Sequence, residues 1–209
     1  MPDFEGISEK LQQGKAEDVK TAVQAELDAG TPVGDLLQKG LIAGMGVIGE
    51  KFKKNEVYVP EVLIAARAMK AGLSVLEPLL ADAGIEPLAK VAIGTVKGDL
   101  HDIGKNLVAM MLRGAGFEVE DLKIDVSAEK FVEAAKGGAK MLCLSALLTT
   151  TMPQMKTVIE AVRAAGVNVP VLIGGAPVTQ GYADEIGADG YAPDAASAVD
   201  LAKKVLKIS

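Results

Sequence analysis

Val91-Ala92-Ile93-Gly94-Thr95-Val96-Lys97-Gly98-Asp99-Leu100-His101-Asp102-Ile103-Gly104 moves from an apolar run through a polar loop into a second apolar pattern. The first run reads as a buried strand over 91–95, and the second as a helix over 103–114. Between them sits His101, the only histidine in 209 residues. Outward from this unit the alternation repeats. Strands are expected at 117–122, 141–145, 169–173 and 190–191. Helices are expected at 127–136, 152–165, 178–186 and 195–206. Short, continuously apolar strands separated by helices specify a parallel sheet covered on both faces. The expected class is α/β, a flavodoxin-like (Rossmann-type) five-stranded sheet in the order 2-1-3-4-5.

Toward the N-terminus the period changes to that of helices. Residues 4–13 form a first helix, ended by Gly14. Over 15–29, Val19, Val23 and Leu27 make one apolar stripe that stops at Gly30. Thr31-Pro32 reads as an N-cap followed by Pro at the first helical position. The third helix runs to about Lys54, with Leu37, Leu41, Met45, Ile48 and Phe52 on one face. Its four interior glycines suit a close approach of another backbone. Pro60 opens a fourth helix reaching about Ala83, with a kink or early end expected at Pro78. Four helices on short links suggest a bundle. The expected division is a helical bundle over 1–83, a linker over 84–89, and an α/β domain over 90–209.

Bulk properties exclude several functions. Hydrophobic residues are 49% and aromatics 3%, so the core is aliphatic. A net charge of −6 argues against nucleic acid as a partner, because phosphate contact needs clustered Lys and Arg. No apolar run reaches the ~18 residues of a membrane span, and no secretory signal is visible. A single cysteine excludes an intrachain disulfide and fits a cytoplasmic location. One His and one Cys do not make a zinc site of the usual multi-ligand kind.

In a 2-1-3-4-5 sheet the topological switch lies between strands one and three, and ligands bind outside the carboxyl ends of those strands. The loop after strand one holds His101. Strand three ends at Ser145, followed by Ala146-Leu147-Leu148-Thr149-Thr150-Thr151, and strand four ends in Gly174-Gly175. A phosphate-binding loop would need more glycine than Gly98 and Gly104. A phosphoacceptor Asp would stand where Ser145 does. A flavin remains open, since hydroxyl-rich loops bind its phosphate, although stacking aromatics are few. A lone loop imidazole held by a carboxylate suits an axial ligand to a metal already chelated by a macrocycle.

These residues also carry a resemblance. Asp99-Leu100-His101-Asp102-Ile103-Gly104 matches the D-x-H-x-x-G signature of cobalamin-binding proteins; Ser145-Ala146-Leu147 resembles their S-x-L, and Gly174-Gly175 their G-G. The longer string from Gly94 to Asn106 is similar to the methionine-synthase and methyltransferase branch. With the preceding bundle, the chain resembles the small corrinoid proteins of methanol, methylamine and O-demethylase methyltransferase systems. The resemblance implies cobalamin, cycling between methylcobalamin and cob(I)alamin, bound with its own base displaced. It implies His101 as lower axial ligand and sole metal ligand, with Asp99 bonded to His101 and Ser145 bonded to Asp99 as a proton relay. The nucleotide tail would run past Gly104, Ser145, Leu147, Gly174 and Gly175. Asp102, and Thr149, Thr150, Tyr191 and Asp194 near the same edge, are expected as further cofactor contacts, and the resemblance puts the cap residues of the methyl-carrying face at Phe52 and Val59.

The implied function is a corrinoid protein carrying a methyl group between a substrate-specific methyltransferase and a second methyltransferase acting on tetrahydrofolate or a thiol, served by a reductive activator. Two other classes compete: a cobalamin-dependent sensor or regulator without methyl transfer, and a flavin module. Each residue also has an ordinary reading. A loop His beside an Asp is commonly a surface pair, Gly174-Gly175 a turn, and Phe52 and Val59 bundle core. The coupling of three motifs in order favours the cofactor reading. Cys143, inside an apolar strand, reads as inert core.

Overall fold

The computed structural model describes residues 2–208; Met1 and Ser209, the outer limits of the two expected domains, lie outside the described residues. The chain divides into two compact units. One comprises Met1–Pro87 with Gly114–Gly116, the other Leu88–Arg113 with Phe117–Ser209.

The first unit is helical: α1 (Phe4–Gln12), α2 (Ala16–Asp28), α3 (Val33–Asp35), a π-helical stretch (Leu36–Ile42), α4 (Ala43–Lys53) and α5 (Val59–Leu80). From Val33 to Lys53 the helix is continuous, so the π stretch is a widened turn within one long helix. Helix α2 packs on α5, and α1 packs on α4 and the π stretch. A Cβ on Gly44 would stand 3.2 Å from the Ser8 Cα, and one on Gly40 3.2 Å from the Ile7 side chain. These two glycines therefore serve close helix packing. Thr31-Pro32 departs from expectation: Pro32 itself is the N-cap and Val33 the first helical residue. The Thr31 hydroxyl instead donates to the Glu26 carboxylate at 2.8 Å. Pro78 does not end α5, which continues to Leu80.

The second unit is the expected doubly wound sheet. Its elements are β1 (Lys90–Val96), α6 (Ile103–Gly114), β2 (Glu118–Val126), α7 (Ala128–Lys136), β3 (Met141–Ser145), α8 (Pro153–Ala164), β4 (Val171–Gly174), α9 (Gln180–Ile186), β5 (Gly190–Tyr191) and α10 (Ala195–Val205). All pairings are parallel and the order is β2-β1-β3-β4-β5. In register, Thr95 pairs with Ser145 and Ser145 with Gly174, a row across the carboxyl ends of three neighbouring strands. The core between sheet and helices is largely aliphatic, with the ring of Phe131 buried in its middle. Gly94 makes room for that ring, since a Cβ there would lie 2.9 Å from Phe131 Cζ. Strand β2 runs four residues beyond the expected end and carries two register shifts against β1. Among the described residues, no helix is long and apolar enough to cross a membrane.

Candidate functional site

The loop leaving β1 is held from several sides. Gly98 turns it with φ +80°, a conformation glycine adopts without a Cβ penalty. The Thr95 hydroxyl, fully buried at the end of β1, donates to the His101 carbonyl at 2.9 Å. Asp99 is completely buried, and its carboxylate is the hub. Its Oδ1 lies 2.7 Å from His101 Nδ1 and accepts the His101 backbone N–H at 3.1 Å. Its Oδ2 accepts the Leu147 N–H at 2.8 Å, the Leu148 N–H at 3.3 Å and the Thr151 hydroxyl at 2.7 Å.

Burial alone would raise the Asp99 pKa. The bonds from Leu147, Thr151 and His101 outweigh it and hold the carboxyl well below the usual carboxylate range. Asp99 is therefore ionised, and Nδ1 of His101 carries the proton it shares with Asp99. That fixes the tautomer with the lone pair on Nε2. The imidazole is half exposed, and among the described residues Nε2 has no hydrogen-bond partner. The relay hydroxyl is a correction to the sequence reading. Ser145 contributes none of the bonds to Asp99; Thr151 does, because the turn after β3 folds back and brings its hydroxyl under the loop. Ser145 remains at the strand end, beside Thr95 and Gly174.

The other expected residues separate into groups. Gly104 is exposed in the first turn of α6, and a Cβ there would meet nothing within 4 Å. Gly175 has its own structural reason: at φ +138°, a Cβ would collide with the Ala146 carbonyl oxygen. Leu147, Thr149 and Thr150 are exposed on the loop after β3. Asp102 does not reach His101; its Oδ2 accepts from Asn106 Nδ2 at 2.9 Å and steadies the start of α6. Asp194 caps α10, accepting from the Ala196 and Ser197 N–H groups at 2.9 and 2.8 Å. Its carboxylate is occupied by that cap rather than aimed at the loops. Tyr191 is half buried in β5 against the core. Phe52 ends on α4 and Val59 begins α5, both half buried in the helical unit.

Besides Thr151, a lysine was missed. Lys105 is a large, fully buried side chain, with Nζ 2.6 Å from Asp121 Oδ1 and from Asn106 Oδ1. It ties α6 to β2. Its signal was the sequence position after Gly104, but a lysine in a first helical turn ordinarily reads as solvent-exposed.

The surroundings suit a flat apolar ring rather than a bare ion. Leu100 and Ile103 flank His101 at 66% and 78% exposure, and Leu147 and Leu148 are also exposed. Among the described residues, no group of three or more His, Cys, Asp or Glu stands together to hold a metal. One exposed imidazole amid aliphatic side chains can complete the coordination of a metal that arrives with its other ligands.

Comparison with known proteins gives the same answer. A family model described as "B12 binding domain" matches residues 89–200, and a second of the same description matches 3–77. The chain belongs to the B12-binding corrinoid proteins. Its cofactor is cobalamin. Among relatives of this family, a corrinoid protein of Desulfitobacterium hafniense is 42% identical over 96% of this chain and 95% of its own. Dimethylamine corrinoid protein 1 of Methanosarcina acetivorans is 47% identical over 82% of this chain and 83% of its own. The structure of the methanol:cobalamin methyltransferase complex from Methanosarcina barkeri aligns with a TM-score of 0.88 at 32% identity, covering 97% of this chain and 79% of that one. A cobalamin-binding protein from Desulfitobacterium hafniense aligns at 0.79 and 30% identity, covering 98% of both chains.

Proposed function

We propose that this corrinoid protein carries a methyl group between two methyltransferases, with His101 as the lower axial ligand. The observation that carries the ligand assignment is the unpartnered Nε2 of an imidazole whose Nδ1 is bonded to an ionised, buried Asp99. Cobalamin supplies a cobalt centre that accepts and releases a methyl group. The residues of the chain do the rest. Asp99 orients the ring and keeps Nε2 basic. The Asp99 carboxylate, kept ionised by the Thr151 hydroxyl and the Leu147 N–H, would stabilise positive charge on the ring while His101 holds the cofactor. Leu100, Ile103 and Leu147 form the apolar floor. Ser145, Gly104, Gly174 and Gly175 border the path of the nucleotide tail, with Thr149 and Thr150 at its polar end. Phe52 and Val59, in the helical unit, are the residues that would serve as the cap.

The methanol:cobalamin methyltransferase complex supports a substrate-specific methyltransferase as one partner, and the chemistry of a methyl carrier calls for the others. A substrate-specific methyltransferase loads the methyl group, a second passes it to tetrahydrofolate or a thiol, and a reductive activator restores oxidised cobalt. Relatives named dimethylamine and trimethylamine corrinoid proteins make methylamines the first donors to test. The test of the ligand uses protein reconstituted with cobalamin. Wild type should show a corrinoid spectrum with its own base displaced and a protein nitrogen bound. His101→Ala should lose the nitrogen ligand while keeping its circular dichroism. An identical spectrum in both proteins would remove His101 from the cobalt. Methyl transfer to the reconstituted protein from methylamines plus a candidate methyltransferase tests the carrier role. Absence of transfer with every donor would leave the sensor reading.

A further inference from the structure

The end of β2 is irregular in a way its own ladder does not require. Ile93 of β1 pairs with Asp121 and Gly94 with Lys123; Gly94 and Val96 then pair with Lys123 and Val126. Each shift inserts one extra residue on β2. Two non-glycine residues there, Lys123 and Asp125, lie in the left-handed region at φ +77° and +53°. A left-handed conformation is unfavourable for a non-glycine residue, so this strand end holds strain that some other contact must offset. Asp125 makes that contact. Its Oδ1 accepts the Gly98 N–H at 2.7 Å, and its own N–H donates to the Asp99 carbonyl at 3.1 Å. One residue thus grips both ends of the Gly98–Asp99 peptide. Asp99 in turn sets the ring of His101.

We infer that Asp125 is a positioning residue for His101: the bulged end of β2 clamps the Gly98–Asp99 peptide and so aims the imidazole through Asp99. This rests on His101 being the cobalt ligand. Among the described residues Asp125 makes no hydrogen bond to His101. Its side chain is exposed, so its effect on the loop does not pass through the core.

The test compares full-length Asp125→Gly, Asp125→Asn and Val171→Ala. Glycine adopts φ +53° freely, so Asp125→Gly deletes the acceptor without adding strain. Asparagine keeps a side-chain oxygen acceptor and tolerates the left-handed region. Val171→Ala, in the buried part of β4, controls for general loss of stability. Amide hydrogen exchange in the apo protein should rise about five-fold over residues 97–102 in Asp125→Gly, the factor one ordinary hydrogen bond supplies. Asp125→Asn should stay near wild type. Val171→Ala should leave 97–102 unchanged relative to β3. In cobalamin-loaded protein, the nitrogen-ligated fraction should fall in Asp125→Gly and recover in Asp125→Asn. Unchanged exchange and ligation in Asp125→Gly, an equal loss in Asp125→Asn, or the same loop exchange in Val171→Ala would each overturn the assignment. If wild type itself shows no nitrogen ligation, the axial-ligand reading fails, and loop exchange alone then decides whether Asp125 clamps Asp99.

Discussion

Five donors converge on the Asp99 carboxylate, and their removal is not equivalent. Thr151→Val deletes one buried hydroxyl and leaves Oδ2 with two backbone donors. It should cost about 1–3 kcal/mol, measured by urea denaturation, whereas Thr151→Ser keeps the donor and most of the stability. The sequence pointed to this loop through Ser145 and Leu147. Which hydroxyl reaches Asp99 depends on how the turn from Leu148 to Met152 folds back, and a run of three threonines carries no sign of that. Lys105 was hidden for a related reason: a buried lysine shows itself only once its partner Asp121, on another element, is in place. Asp121 makes this pair measurable. Burial raises its pKa, but the bonds from Lys105 and Lys123 outweigh that and lower it to about 2. A depressed carboxyl contributes its full stability above its ordinary value of 3.8 and loses it as pH falls through about 2. The stability gap between wild type and Asp121→Asn should therefore be constant above about pH 4 and shrink by ~2 kcal/mol toward pH 2. A gap that does not change with pH would show that the charge on Asp121 is not what binds α6 to β2.

Elements were legible where apolar runs and glycines agree. The five strands, their parallel pairing and the order followed from runs such as Met141–Ser145 and from the helices between them. Strand β2 was cut short because Lys123-Ile124-Asp125 carries charges on a bulged strand end and reads as a loop. The π stretch left no trace either: Leu36 to Ile42 keeps a helical apolar pattern whether its turns hold 3.6 residues or more. Gly94 gives the element scale its sharpest test. It sits in β1 against Phe131 of α7 and Val126 of β2, with a Cβ reaching 2.9 and 3.0 Å from them. Both neighbours are buried in the core and cannot swing away. Gly94→Ala should destabilise the α/β unit by about 1–3 kcal/mol, the usual cost of overpacking. A Gly94→Ala, Phe131→Leu double variant should recover part of that loss in thermal denaturation. No recovery would mean that β1, not the ring, resists the added methyl.

At the scale of the whole molecule, a methyl carrier must hold cobalt on one side and offer it to proteins on the other. Every residue that sets His101 belongs to the second unit: Thr95 and Asp99 before it, Asp125 on β2, and Leu147, Leu148 and Thr151 after β3. Phe52 and Val59 belong to the first. Between them, residues 81–84 are exposed, and no helix or strand intervenes from Leu80 to Lys90. We propose 84–89 as the linker between the helical unit and the cofactor-binding unit, a segment that would act as a hinge. This division predicts different behaviour for the two functions of the fold. Limited digestion with a broad-specificity protease should cut first between residues 81 and 89. The fragment 88–209, expressed alone, should bind cobalamin with nitrogen ligated, because all the donors around His101 come with it. The bound cofactor should then react faster with a small alkylating agent than in the full chain, because Phe52 and Val59 are gone. If the fragment folds but binds cobalamin without its histidine ligand, the helical unit takes part in ligation as well as in covering the metal. If its alkylation rate equals that of the full chain, Phe52 and Val59 do not form the cap.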